Sequence, residues 1–356
     1  RRRLPAESVR DIQQLTGDYV VDYSVASASG MMNIFSMQWE DNALQHAGIK
    51  KENLADIVPV VYSLKNLKKE YQTSLGLHDK VRLIVGSSDG CMATLGAGVW
   101  GEGKATVTIE ESGAVRVIGK EILKDEKQRL FNYVLSEGNY VSGGPTNNAG
   151  SAFEWYAKQF GDFKKPFDLE ECMEKLIIEA AKIPAGARGL IFLPYLQGER
   201  APIWNANARG LYFGLNINHE QQHFLRATIE GIIYGFYSIG KTLEEHRPFK
   251  SLSANGTFAG YPLWTQLMAD VFNKPVYIKE SSGSDSVACG GFLVSATELD
   301  MYKNLEEAAQ KVKLTDGFHP QQHNHDIYRK QFAIFEHLST KLFAEFEAIA
   351  DFQQNN

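Results

Sequence analysis

"GLYFGLNINHEQQHFLRATIEGIIYGFYSIG", Gly210–Gly240, supports two readings. His219-Glu220-x-x-His223 fits H-E-x-x-H, which on a helix sets two imidazoles on one face for zinc, with the glutamate as base. Against that, the pair falls in the first turn after "GLNIN" and no third ligand follows. The other reading is a helix starting after Asn218 as N-cap, with Phe224, Ala227, Thr228, Gly231, Ile232, Gly235 and Ile239 at helical spacing. On that reading the histidines are only an exposed first turn.

Working outward, short apolar runs alternate with helical patterns, which predicts an α/β protein. "VRLIVGSSDG" (Val81–Gly90) is a buried strand running into a polar turn, and a small-residue helix "CMATLGAGV" follows. "GEGKATVTIE" opens a β-rich section, so a domain boundary is expected near Gly98–Gly103. "LIFLPYL" (Leu190–Leu196) is a buried strand ahead of a long polar loop. "SLSANGTFAGYPLWTQLMADVF" predicts strand, turn and helix, and "VYIKESSGSDSVACGGFLVSATEL" repeats the theme. Tyr328, Phe332, Phe335, Leu338, Leu342, Phe346 and Ile349 share one face of an amphipathic C-terminal helix.

The 356 residues, 44% hydrophobic and 22% charged, exceed one ordinary core and suggest two domains or one large unit. A net charge of −6 argues against nucleic acid or an anionic membrane as partner. Cys91, Cys172 and Cys289, odd in number and far apart, read as reduced, buried thiols of a cytoplasmic protein. No run approaches the length of a membrane span and no signal peptide is recognised. The chain opens "RRRLPAESVRD" without Met, and the arginines read as a solvated end.

Several motifs fail on context. "GAGVWG" (Gly96–Gly101) fits G-x-G-x-x-G, but it follows a helix and precedes a strand, the reverse of a dinucleotide site. "GVWGEGKA" nearly fits a P-loop, yet Ala105 replaces the magnesium-holding hydroxyl. "NGT" (Asn255–Thr257) fits a glycosylation sequon without other signs of secretion. "HPQQHNH" (His319–His325) reads as a polar loop, and no metal site is assigned. Asp89, at the C-terminal end of a buried strand, stands where α/β ligands bind and could accept a proton from a substrate hydroxyl; a helix N-cap is the equal alternative. "VTIEESGAVRV" (Val107–Val117) reads as a hairpin entered through two adjacent carboxylates, Glu110 and Glu111.

Together these segments resemble the FGGY family of carbohydrate kinases. Gly210–Gly231 satisfies that family's C-terminal signature and absorbs the zinc motif. "GSSDG", "GGPTNNAG", "LPYLQGERAPIWNANARG", "PLWTQLMADVFNKPV" and "DYSVASASGMMN" with Trp39 are similar too. "GERAPIWNANARG" and "GGPTNN" look most like the family's gluconate kinases. The resemblance implies two ribonuclease H-like domains of the actin/hexokinase type, the first only partly present: residues 1–100 from the sugar-binding domain and 101–356 as the nucleotide-binding domain. It implies Asp89 as general base, Asp89 and Gly90 at the substrate, and Glu111, Ser112, Gly113, Gly150, Glu154, Gly256, Thr257 and Tyr261 at the nucleotide. The implied co-substrate is ATP with Mg2+, and the implied partner a small-molecule sugar or sugar acid, most of all gluconate; a homodimer is among the expectations.

The sequence departs from the family at its missing first phosphate loop, at the second phosphate loop and around the adenine side. No Asp-x-Gly-Thr-Thr-type phosphate loop precedes Asp22, so the first domain's sheet is expected to have open edges. Glu110-Glu111-Ser112-Gly113 stands where gluconate kinases read Gly-Thr-Ser-Gly. Thr257 stands for the second Gly of a Gly-Gly turn, Tyr261 near a usual Asn or Ser, and Cys289 where Gly is expected. Besides a working kinase, these departures leave open a relative, or a fragment, that binds a sugar or a partner protein without ATP turnover.

Overall fold

Alternation in "GKATVTI" and "GAVRVIG" produces two paired strands at the centre of the molecule. The computed structural model describes residues 7–161, 169–280 and 286–355; the opening arginines and the "SSGSD" stretch at 281–285 lie outside them. The first part of the chain runs α1 (Glu7–Thr16), β1 (Val20–Asp22), α2 (Tyr23–Ala28), β2 (Met32–Asn33), β3 (Gln38–Trp39), α3 (Asp41–Ala47), β4 (Asp56–Val58), β5 (Ser63–Leu64), α4 (Lys69–Ser74), β6 (Leu83–Ile84) and α5 (Asp89–Gly96). Here β1 pairs in parallel with β4 alone, and β2–β3 and β5–β6 are separate antiparallel pairs. Among the described residues this sheet is two strands wide, with an edge on either side. Val9 and Ile12 of α1 are buried, on two small apolar clusters with Val21 and Val20 of β1.

The rest begins with β7 (Gly103–Ile109), β8 (Gly113–Gly119), β9 (Phe131–Ser136), β10 (Asn139–Thr146), α6 (Gly150–Phe160), α7 (Leu169–Ala181), β11 (Ile191–Leu193) and β12 (Leu211–Phe213). It continues with α8 (Gln221–Glu244), β13 (Phe249–Asn255), α9 (Pro262–Phe272), β14 (Val276–Ile278), α10 (Ser286–Glu298), α11 (Leu305–Gln310), α12 (Gln322–Lys341) and α13 (Phe343–Asn355). One mixed sheet has the order β14-β13-β7-β8-β10-β9; β13 runs parallel to both neighbours and the others pair antiparallel. Both faces are covered. Val115 and Val117 of β8 point into a core with α6, α8, α9 and α12, while Ile118 joins Cys91, Leu95 and Val294 on the opposite face.

On that second face α5 and α10 touch backbone to backbone: a Cβ on Gly96 would lie 2.0 Å from the Ser286 carbonyl, and one on Gly290 2.1 Å from that of Met92. On the first face α8 is apolar almost all round. Gly231 lets it approach β11, where a Cβ would sit 2.2 Å from the Phe192 carbonyl. Arg226 Nε and Glu230 Oε1 pair inside this core at 2.7 Å, and Tyr328 of α12 bonds to both.

Several expectations need correcting. Glu220, not Asn218, caps α8, through a reciprocal box with His223. The C-terminal pattern is two helices meeting at Leu342, and α12 begins at Gln322, so His323 and His325 are helical rather than part of a loop. Ile349, on the expected buried face, is 41% exposed. Cys91 and Cys172 are buried, but Cys289 is only partly so. Among the described residues no helix is long and apolar enough to cross a membrane.

Candidate functional site

Asp89 is the first residue of α5; Ser88 holds the cap position. The Asp89 carboxylate accepts only a short contact from the adjoining Gly90 N–H, at 2.6 Å, among the bonds described, and it lines a cavity of about 470 Å³. The loop that delivers it is fastened from below. Ser24 Oγ donates to Asp22 Oδ1 at 2.5 Å and accepts from Ser87 Oγ and the Ser88 N–H, each at 2.7 Å. Asp22 in turn caps α2 through the Ser24 and Val25 amides. Burial pushes the Asp22 carboxyl above its usual range, and the bonds from Ser24 and Val25 pull it back. "GSSDG" is therefore held at its serines, which leaves the aspartate facing the cavity.

The opposite wall is the β7–β8 hairpin. Its turn is Glu110-Glu111-Ser112, closed by the Glu110 N–H donating to the Ser112 carbonyl at 3.0 Å. The carbonyls of Glu110 and Glu111 accept from the Gly150 and Ser151 amides at 2.8 and 2.9 Å, which satisfies two of the orphan donors at the start of α6. The Glu110 carboxylate reaches toward the end of β13, where it accepts from Thr257 N at 3.1 Å and Thr257 Oγ1 at 2.8 Å. Two departures that look independent in the sequence thus form one contact: the carboxylate in the hairpin is bound by the hydroxyl that replaces a glycine.

Of the residues expected at a ligand, Asp89, Gly90, Gly256 and Thr257 line this one cavity. Gly256 has φ +91°, and a Cβ there would lie 2.3 Å from the Ile109 carbonyl, so only glycine serves. Glu111, Ser112, Gly113, Gly150, Glu154 and Tyr261 lie outside the lining. Glu111 and Ser112 are exposed in the turn. A Cβ on Gly113 would strike Phe236 at 2.4 Å, and one on Gly150 would strike Phe258 at 2.2 Å, so both glycines are needed for packing. Glu154 pairs with Lys158 at 2.6 Å on the outside of α6, and Tyr261 begins α9 against the core.

Sequence reasoning missed Thr108, Arg116, Asn255 and Ser286, which line the cavity as well. Arg116 Nη1 donates to Thr108 Oγ1 at 3.0 Å. Burial lowers the Arg116 guanidinium's pKa, which Asp89 counters in part. Strand alternation was the available signal, since Ala114 and Arg116 must share a face with the mouth of the hairpin. Asn255 is 5% exposed and donates to Thr106 Oγ1 at 2.7 Å, so the "NGT" asparagine is a core residue rather than a glycan acceptor. The histidines of "HEQQH" bond locally, His223 Nδ1 accepting from Glu220 N at 3.0 Å and His219 Nδ1 from Asn216 N at 2.9 Å; His223 is buried rather than exposed, and its Nε2 has no partner among the described residues. Among the described residues no three His, Cys, Asp or Glu side chains gather as metal ligands.

Comparison with known proteins bears on the whole arrangement. Residues 109–299 match the C-terminal domain of the FGGY family of carbohydrate kinases, and residues 12–96 match its N-terminal domain. The gluconokinase of Bacillus subtilis is 34% identical over 354 residues, which is 96% of this chain and 67% of that protein. The gluconate kinase of Lactobacillus acidophilus superposes with a TM-score of 0.86 at 31% identity, over 96% of this chain and 68% of that one. The ligand-bound xylulose kinase of the same organism gives 0.88 at 30% identity, over the same shares. The chain thus spans about two thirds of the length of these relatives. With its mixed α/β architecture of the actin/hexokinase type, it belongs to the FGGY family of carbohydrate kinases, the ATP-dependent sugar kinases.

Proposed function

We propose that this chain transfers the γ-phosphoryl group of ATP to a hydroxyl of a sugar acid, D-gluconate above all, with Asp89 as general base. The observation that carries this is the free-facing Asp89 carboxylate in one cavity with Gly256, Thr257 and Arg116. In the reaction the sugar oxygen bonds to the γ-phosphorus, the bond from that phosphorus to the ADP oxygen breaks, and the hydroxyl proton passes to Asp89. Positioning supplies most of the remainder, and the Asp22–Ser24–Ser87/Ser88 chain holds the base in place.

The phosphate end of ATP fits the Gly256–Thr257 side. Gly256 and Thr257 line the cavity there, and the buried Ser286 hydroxyl on its wall has no partner among the described residues. Mg2+ would arrive with the nucleotide; of the carboxylates that line the cavity among the described residues, Glu110 is bound to Thr257, which leaves Asp89 to face it. The division at residue 100 belongs to the same proposal, supported by family matches that end at 96 and resume at 109. So does a cytoplasmic setting, with a homodimer expected and neither nucleic acid nor membrane as partner. Glu110 favours one rival, a relative that binds sugar or a protein without turning over ATP.

ADP release by the purified protein with Mg-ATP and D-gluconate or D-xylulose decides between them. Gluconate-dependent ADP, with a phosphate ester as product, is expected. No sugar-dependent ADP would overturn the proposal.

A further inference from the structure

Arg116 is a cation lining the cavity, and the phosphoryl-transfer step proposed above gives it no role of its own. It stands on β8, and its Nη2 is 2.8 Å from where a Cβ of Gly90 would lie, so the guanidinium rests on the residue next to the base. Its Nε is shut off from solvent and has no hydrogen-bond partner among the described residues. Arg200, in the loop after β11, is in the same condition: its Nη2 donates to the Thr146 carbonyl at 2.9 Å, and its Nε is buried and unpartnered. Beyond burial, the groups acting on Arg116 include Asp89, which favours its cation, Arg200, which opposes it, and Cys91 and Tyr133. The other nearby carboxylates among the described residues are committed. Glu110 is bound to Thr257, and Glu199 accepts from Thr146, Asn148 and the main-chain amides of Asn147 and Arg200.

Among the described residues Asp89 is then the one carboxylate left to balance the desolvated Arg116 guanidinium, and it is neutralised when it takes the substrate's proton. Unpaired buried charge is costly, so an anion from outside is called for. The transferred phosphate is one candidate, but the sheet order argues against it. Gly256 and Thr257 follow β13, two strands from β8, whereas Arg200 is tied to β10 and Tyr133 lies on β9, on the other side of Arg116. We propose that Arg116, assisted by Arg200, binds the carboxylate of the sugar-acid substrate and so selects aldonates over neutral sugars. This rests on the cavity being the sugar site, as proposed above.

Calorimetric titration tests it without turnover. D-gluconate and D-glucitol, which carries CH2OH in place of the carboxylate, are titrated into the wild-type protein, Arg116→Gln and Arg200→Gln; Mg-ATP is titrated into each as well. The wild type should prefer gluconate, and Arg116→Gln should weaken gluconate by about 10- to 100-fold, as expected for lost charge-assisted hydrogen bonds, while glucitol and Mg-ATP are unchanged. Arg200→Gln should show a smaller loss of the same kind. Equal binding of gluconate and glucitol by the wild type would overturn the proposal even if Arg116→Gln does not fold. So would a folded Arg116→Gln that loses Mg-ATP rather than gluconate. A protein that binds gluconate through Arg116 yet releases no ADP would instead fail the kinase proposal alone.

Discussion

Replacing Glu110 by Gln should tighten Mg-ATP binding. Glu110 lines the cavity beside Thr257, on the side proposed for the nucleotide's phosphates. A carboxylate about 4 Å from one phosphate charge costs about 4 kcal/mol at an effective dielectric near 20, and about 1 kcal/mol in bulk water. Glu110 is half-buried and Mg2+ offsets part of the phosphate charge, so the cost lies between these limits. Removing the charge should then improve the dissociation constant by about 5- to 1000-fold. The amide that Glu110→Gln introduces keeps an oxygen to accept one of the two Thr257 bonds, so the hairpin should hold its place. Thr257→Ala is the control: it removes the hydroxyl donor, leaves the charge and should give no gain. Calorimetry with a non-hydrolysable Mg-ATP analogue reads all three proteins. If Glu110→Gln binds no tighter, the carboxylate does not face phosphate; if it binds more weakly, Glu110 serves the metal and the reasoning is refuted.

Arg226→Met should destabilise the protein by about 3–5 kcal/mol in denaturant unfolding, because it strands the Glu230 charge in the core. Arg129 bonds and ion-pairs with Asp125 at 2.7 Å and holds its carboxyl below the usual range. A depressed acid contributes stability that is full above its unfolded pKa and lost as pH falls toward its folded one. The melting-temperature gap between wild type and Asp125→Asn should therefore persist at neutral pH and shrink below about pH 3.9. Burial pushes the Cys91 thiol up to about 11, whereas Cys289 is partly exposed. Native-state alkylation at pH 8, read by peptide mass, should modify Cys289 before Cys91.

Elements whose pattern is set by one neighbour were legible in the sequence. The β7–β8 hairpin follows from alternation on either side of Glu110–Ser112, and α8 from apolar spacing at Phe224 to Ile239. Asp89 drew notice as a carboxylate after a short apolar run, with a helix cap as the equal alternative; that run, β6, is only half-buried, and Ser88 holds the cap position. What stayed hidden depended on pairings across long sequence distances. Glu110 and Thr257 are 147 residues apart, so each alone looked like damage to a phosphate loop. Arg116 and Arg200 gained meaning only once β8, β10 and α5 were brought side by side. Gly113 and Gly150 suggested a ligand, but Phe236 and Phe258 require them. The start of α8 was misplaced because Asn is a commoner cap than Glu, and the His223 side chain that completes the box cannot be weighed without geometry.

The central claim is that Asp89 removes the proton from the sugar hydroxyl. The direct measurement is kcat for D-gluconate phosphorylation at saturating Mg-ATP, wild type against Asp89→Asn, with ligand dissociation constants measured alongside. Asparagine keeps an oxygen for the Gly90 amide but cannot act as base, so kcat should fall by about 10²- to 10⁴-fold with both dissociation constants unchanged. An Asp89→Asn protein that turns over gluconate at the wild-type rate would contradict the account.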